Sequence, residues 1–166
     1  MKFVVNGQDL NNAVSKVVKA ISTKSTNPVL EGIKLSVVGD ELILTATDTE
    51  ISIEKTISAT TFTEGETVVP GKLFSEFVKK LENEEDIEFT LIDGQIKINY
   101  GASEGFIQTF PAEEFPIINK DIREKSFTIY QKDLKELIFK SSFSCSQDDT
   151  RPILKGCLFE IENGIL

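Results

Sequence analysis

The chain has 166 residues, of which 40% are apolar, and carries 18 basic side chains, 27 acidic side chains and no histidine, for a net charge of −9. This length and apolar content allow one sizeable core and a second, smaller unit, and the lack of a signal sequence or a membrane-length apolar run predicts a cytoplasmic protein. The lack of histidine disfavours an enzyme, and the acidic total disfavours indiscriminate binding to polyanions.

The first part of the chain is typical of one strand, one helix and three further strands. Residues 2–6 (KFVVN) are strand-like, and apolar residues then recur at helical spacing from Leu10 to Ile21, with Lys16 and Lys19 on the other side of the helical wheel. Alternating segments follow at 29–38, 42–48 and 51–59. The first helix is therefore predicted to have one apolar face and one basic face.

The same order of elements then begins again at ETVVP, residues 66–70. A second amphipathic helix has an apolar arc from Leu73 to Leu81, and its other side carries Lys72, Lys79 and, near the edge, Lys80. Strand-like segments at 87–92, 95–100 and 106–110 complete this copy. Residues 1–110 therefore hold two copies of a strand-helix-three-strand unit.

A larger repeat, offset by 124 residues, follows a stretch with two prolines and mixed charge. FTIYQKDL at 127–134 aligns with FVVNGQDL at 3–10, and TRPILKGCLF at 150–159 repeats NPVLEGIKL at 27–35. The repeat predicts a strand, a helix and a first long strand. We expect residues 1–117 to form a complete first domain, 118–126 a linker, and 127–166 the incomplete start of a second domain.

Four stretches resemble one known family by their order and spacing. NPVLEGI, TDTEISIEKTI at 47–57, VVPGKLF at 68–74 and FPAEEFP at 110–116 are similar to the bacterial sliding clamp, the beta subunit of DNA polymerase III. The resemblance implies an α+β DNA clamp fold of nested repeats, with antiparallel sheet outside and a helix pair on the inner face. It further implies that two subunits close head to tail into a homodimeric ring around duplex DNA.

The resemblance also implies a processivity factor that catalyses nothing, needs no cofactor and tethers the replicative polymerase and other factors to DNA. Of the 18 basic residues, nine lie on or beside the three predicted helices, together with five carboxylates. Lysine suits a sliding contact because its compact charge attracts phosphate without reading a base edge. The nine residues expected to face DNA are Lys16, Lys19, Lys24, Lys72, Lys79, Lys80, Lys132, Lys135 and Lys140.

Two protein contacts follow from the resemblance alone. In this family, polymerase and clamp-loader subunits insert short peptides into an apolar pocket, and Arg151 and Leu154 match positions on its wall, although Leu154 could equally be a core residue. The subunit contact is expected at an edge strand holding Phe106 and Gln108, where glutamine replaces the expected apolar residue.

The charged and cysteine-containing segments also have simpler structural interpretations. Exposed helix faces are commonly charged, so a non-DNA protein-interaction module of repeated α+β units is the alternative. PGKLFS lacks two residues of a phosphate loop, and the acidic runs at 82–88 and 146–150 lack calcium-loop spacing, so we predict no nucleotide or metal site. Cys145 and Cys157 are too few for a disulfide framework and are predicted to be buried thiols.

Overall fold

The computed structural model describes residues 1–22, 27–119, 127–148 and 150–161. The chain forms two compact units, Met1–Asn119 and Lys120–Leu166. Within the described ranges, none of the helices has both the length and the apolar character that crossing a bilayer requires.

The described part of the first unit contains two α-helices and nine strands. The helices are α1 (Gly7–Val17) and α2 (Gly71–Val78), each continued by a short 3-10 turn, Val18–Ala20 and Lys79–Leu81. The strands are β1 (Lys2–Val5), β2 (Gly32–Val38), β3 (Glu41–Thr47), β4 (Ser52–Ser58), β5 (Thr60–Thr63), β6 (Gly65–Pro70), β7 (Ile87–Ile92), β8 (Gln95–Tyr100) and β9 (Ser103–Gln108).

The two strand-helix-three-strand copies interlock by exchanging their first strands. The sheets are antiparallel, with strand orders β5-β1-β7-β8-β9 and β4-β3-β2-β6. Strand β1 of the first copy therefore pairs with β7 of the second, placing Phe3 opposite Phe89, and β6 of the second copy pairs with β2 of the first, placing Ile33 opposite Val69. Neither copy can complete its sheet without the other, so the two form one folding unit.

Both helices and both sheets share one core. Alternate residues of the strands and the apolar stripes of α1 and α2 belong to a single buried cluster, as the helical and strand periods require. The rings of Phe3 and Phe89 stack at a centroid distance of 4.9 Å, and Phe74 from α2 meets Phe89 edge-on at 6.2 Å. These aromatic contacts hold α2 against β7 and against the exchanged strand β1.

Each helix starts at a glycine whose surroundings leave no room for a side chain. Asn6 caps α1 by accepting hydrogen bonds from the amides of Gln8 and Asp9, and the Gly7 amide donates to the Glu84 carbonyl at 2.9 Å. A Cβ at Gly7 would overlap the Leu81 carbonyl oxygen. At the equivalent point of α2, a Cβ on Gly71 would lie 2.9 Å from the Glu31 carbonyl oxygen.

The α+β fold class predicted from the sequence is confirmed, with local differences. The segment predicted as a strand over 29–38 begins with a 3-10 turn, Pro28–Glu31, because Asn27 caps it and proline favours the first turn. Strand β5 was not predicted, since it follows β4 after Ala59 without a turn signal. Strand β9 starts at Ser103, earlier than the expected 106.

The second unit repeats the local structure of the first at the same offset of 124 residues. Its helix α3 (Gln131–Ser142) starts 124 residues after Gly7, and its 3-10 turn Pro152–Lys155 matches Pro28–Glu31. The Ser146 amide donates to the Leu154 carbonyl at 2.9 Å, as Ser22 donates to Leu30 at 3.0 Å. The repeat inferred from the amino-acid sequence is thus also present in the backbone structure.

The strands predicted on either side of α3 are wrong for the described residues. Residues 127–130 and 156–161 contain no strand. In the first unit the corresponding strands have hydrogen-bonded neighbours on both sides, β5 and β7 for β1 and β3 and β6 for β2. No described residue of the second unit is buried. Cys145 and Cys157 are only half-buried, which corrects the prediction of buried thiols.

Candidate nucleic-acid interface

Helices α1 and α2 contact each other, and each directs its lysine-bearing face away from the core. Leu10, Val14 and Val17 of α1 are buried, as are Phe74 and Val78 of α2. The five lysines predicted on the opposite faces are all exposed; they are Lys16, Lys19, Lys72, Lys79 and Lys80. Residues 7–22 and 71–83 form what is called the helix layer below. This layer therefore presents its ammonium groups to solvent and its apolar groups to the sheets.

Most strand lysines differ from the helix-layer lysines in having carboxylate partners. Three of the four strand lysines form ion pairs: Lys2 with Glu88 at 2.9 Å, Lys34 with Glu66 at 2.7 Å and Lys97 with Glu104 at 2.6 Å. None of the five helix-layer lysines forms an ion pair within the described ranges.

The strand ion pairs have a common geometry. In each one, the carboxylate lies two residues along from the residue directly opposite the lysine, as Glu88 does from Thr90, the partner of Lys2. A long side chain reaches such a diagonal neighbour across adjacent strands. The hydrogen bonds from Lys2 and from Asn99 lower the pKa of Glu88 below its ordinary value, so this carboxylate stays ionised.

Charge is divided between the two layers of the first unit. The helix layer, residues 7–22 and 71–83, carries five lysines and three carboxylates. The rest of residues 1–119 carries five lysines and sixteen carboxylates. A polyanion would be attracted by the first surface and repelled by the second, because the local charge distribution outweighs the net charge at close range.

The start of α2 adds a second source of positive potential. Lys72 lines an open cleft of about 330 Å³ together with Ser22, Pro70 and Gly71. Within the described ranges, no side chain caps the first amides of this helix, although the carboxylate-bearing Glu31 also lines the cleft. Exposed ammonium groups and uncapped amides both bind phosphate oxygens without reading a base.

The remaining residues predicted to face DNA are placed less favourably or lie outside the description. Lys132 and Lys135 of α3 are exposed, whereas Lys140 forms an ion pair with Glu136 at 2.6 Å. Because α3 has no buried residue in the described ranges, its burial pattern does not distinguish an inner from an outer face. Lys24 lies outside the described residues.

Phe106 and Gln108 lie on β9, at an edge of the five-stranded sheet. Both are exposed, Phe106 to 56% of its surface. The Lys97 ammonium lies 5.6 Å from the centre of the Phe106 ring. The strand offers one unpaired backbone edge and one exposed aromatic ring, which together suit pairing with another strand.

Arg151 and Leu154 lie on or next to the 3-10 turn of the second unit, and both are exposed. An open groove of about 170 Å³ in the same unit is lined by other residues, among them Leu137, Ile138 and Phe159. The two predicted pocket residues therefore do not line this groove. Among the described residues, no group of three or more histidine, cysteine, aspartate or glutamate side chains is arranged to hold a metal ion.

A pair of interlocked strand-helix-three-strand copies, with a lysine-bearing helix layer over two antiparallel sheets, defines a domain of the sliding-clamp class. Residues 1–119 match the family model of the DNA polymerase III beta subunit, N-terminal domain. The chain therefore belongs to the DNA polymerase III beta subunit family.

Individual relatives agree with this assignment. The chain is 35% identical to the beta sliding clamp of Halalkalibacterium halodurans, with all of this chain and 46% of that protein covered. Its structure is similar to a sliding clamp of Pseudomonas aeruginosa (TM-score 0.90, 29% identity, 99% of this chain and 44% of that chain) and to one of Bacillus subtilis (TM-score 0.86, 31% identity, 92% and 42%). The chain spans about half the length of the curated relatives it matches.

Proposed function

We propose that this chain acts as part of a sliding clamp, a processivity factor that surrounds duplex DNA and tethers the replicative polymerase to it. The observation that carries the proposal is the contrast between the two lysine sets. Strand lysines are largely neutralised by carboxylates, whereas the five helix-layer lysines are exposed and unpaired within the described ranges. Such lysines release counterions when they meet phosphates, which favours binding without sequence preference.

In this proposal the protein catalyses nothing and binds no cofactor. Its contacts with DNA are weak and salt-dependent, so a closed ring rather than affinity keeps it on the template. Helices α1 and α2 supply the DNA-facing lysines of the first unit, and the lysines of α3 are the candidates in the second unit. Residues 1–117 form the first clamp domain, residues 118–126 connect it to the next, and residues 127–166 begin that second domain.

Two protein contacts complete the proposal. The free edge of β9, with Phe106 and Gln108, pairs with a second subunit in a head-to-tail dimer, and an exposed edge strand supports this role. Arg151 and Leu154 contribute to the wall of a pocket for short peptides of polymerase and clamp-loader subunits. Their exposure supports that role.

Single charge reversals that change the net charge equally test the DNA contact. Lys16→Glu and Lys72→Glu alter the helix layer, and Lys55→Glu is the matched control, since Lys55 is exposed on β4 without an ion pair in the described ranges. Binding of the chain to duplex DNA is titrated at several salt concentrations. Each helix variant should weaken binding to all sequences alike and reduce the slope of log affinity against log salt by about 1.

The control variant should leave that slope unchanged. Equal effects of Lys55→Glu and the two helix variants would mean that only net charge matters. Indifference to all three would contradict the DNA contact and favour the protein-interaction module.

A further inference from the structure

A carboxylate lies at the centre of the lysine-bearing face of α2. The exposed positions of this helix and of the 3-10 turn that continues it are Lys72, Leu73, Glu76, Lys79 and Lys80. At about 100° per residue, Glu76 falls midway across the sector that these five side chains occupy. The face that the proposed function directs toward DNA therefore has a negative charge in its middle.

Glu76 lies on the same side of the helix as three lysines. Lys72 is four residues before it, and Lys79 and Lys80 are three and four residues after it. Within the described ranges, Glu76 nevertheless forms no ion pair with any of them. It differs in this respect from the carboxylates of the strand ion pairs. Its charge is therefore not cancelled by direct contact and acts on any ligand that approaches this face.

The corresponding position of α1 is neutral. Gly7 and Gly71 start the two helices, so the helices of the two copies correspond at an offset of 64 residues, and Glu76 corresponds to Asn12. Asn12 is likewise exposed, in the middle of the exposed face of its helix. The fold therefore accepts an uncharged polar side chain at this position, and the carboxylate of Glu76 is not required for packing.

The carboxylates make the two helical segments equally positive. Residues 7–22 carry two lysines and one carboxylate, whereas residues 71–83 carry three lysines and two carboxylates. Each segment therefore has a net charge of +1. If Glu76 were neutral, the α2 segment would attract phosphate more strongly than the α1 segment does.

We propose that Glu76 weakens the contact of the helix layer with DNA, so that the phosphate backbone is attracted without being held in one place. This role rests on the proposed function, since it concerns the same surface. A phosphate that approaches Lys72 or Lys80 is repelled by the carboxylate between them, and each ammonium group can exchange a phosphate for Glu76. Breaking one lysine–phosphate contact therefore costs less, which favours movement of the duplex across the helix layer.

The test is the affinity of the whole chain for duplex DNA of arbitrary sequence, titrated at several salt concentrations. Glu76→Gln removes the charge and keeps the size of the side chain, so it should tighten binding by about threefold to tenfold at low salt. The gain should disappear as added salt screens the repulsion. Glu76→Asp keeps the charge and should bind as the wild-type chain does.

Glu41→Gln is the matched control, because it changes the net charge equally at an exposed position of β3, outside the helix layer. This variant should change the affinity by less than about twofold. Equal tightening by Glu76→Gln and Glu41→Gln would overturn the proposal, since only net charge would then matter. Tightening by Glu76→Asp, or binding by Glu76→Gln that is no tighter than wild type, would also overturn it.

The reciprocal variant is Asn12→Glu, which adds a carboxylate at the corresponding position of α1. It should weaken binding by a similar factor, and unchanged binding would overturn the proposal. Lys16→Glu separates this role from the proposed function. Weaker binding by Lys16→Glu together with no effect of Glu76→Gln would overturn the role of Glu76 and leave the DNA contact standing. Indifference to all of these variants would contradict both.

Discussion

Individual residues in this domain are constrained most tightly where the two copies interlock. Gly7 starts α1 directly against the carbonyl groups of Leu81 and Glu84, and its own amide donates to Glu84. The space for a side chain is filled by backbone, which cannot move aside as the end of a flexible side chain can. This glycine is therefore required by the close approach of two segments and not by an unusual backbone dihedral angle.

Replacing Gly7 by alanine should destabilise the first unit, because the added methyl group forces the start of α1 away from the end of α2. We expect a loss of about 1 to 3 kcal/mol in the free energy of unfolding, measured by urea denaturation. The control is Gln8→Ala at the next, exposed position, which should change stability by less than about 0.5 kcal/mol. Equal effects of the two variants would show that this contact is not tight.

The basic residues of the helix layer could be predicted from the sequence, but the partners of the strand lysines could not. Lys16 and Lys72 follow from helical periodicity, which depends only on nearby residues. The ion pair between Lys2 and Glu88 depends on the register of β1 against β7, which the strand exchange sets.

Among whole elements, those with a packing partner were predicted best. Helices α1 and α2 have clear apolar stripes, and both lie on the shared core. The strands expected at residues 127–130 and 156–161 have the right local pattern, yet they do not form in the described residues. Local pattern indicates what a segment can become, but a strand requires hydrogen-bonding neighbours.

Helix α3 should consequently be much less stable than α1. It has 12 residues and none is buried, so little besides its own hydrogen bonds holds it. In hydrogen–deuterium exchange of the chain, the α3 amides should exchange at close to the rates of an unstructured chain. The α1 amides should be slowed by at least about a thousandfold. Equal protection of the two helices would contradict this difference in packing.

At the scale of the whole molecule, charge in the first unit is unevenly distributed: the five helix-layer lysines have no ion pair within the described ranges, whereas three of the four strand lysines do. The helix layer carries five lysines and three carboxylates, in contrast to the sixteen carboxylates and five lysines elsewhere in residues 1–119. In the proposed function, this separation lets a protein with a net charge of −9 attract DNA at one surface while its remaining surface repels it. It also predicts that DNA approaches the helices and not the sheets.

Mapping the DNA contact by nuclear magnetic resonance tests that claim most directly. Duplex DNA of arbitrary sequence is titrated into the isotope-labelled chain at low salt, and the backbone amide shifts are followed. We predict that the perturbed amides cluster on α1 and α2, around Lys16, Lys19, Lys72 and Lys79, and that the perturbations disappear as salt is added. Perturbations concentrated on the sheets, or none at low salt, would contradict the account.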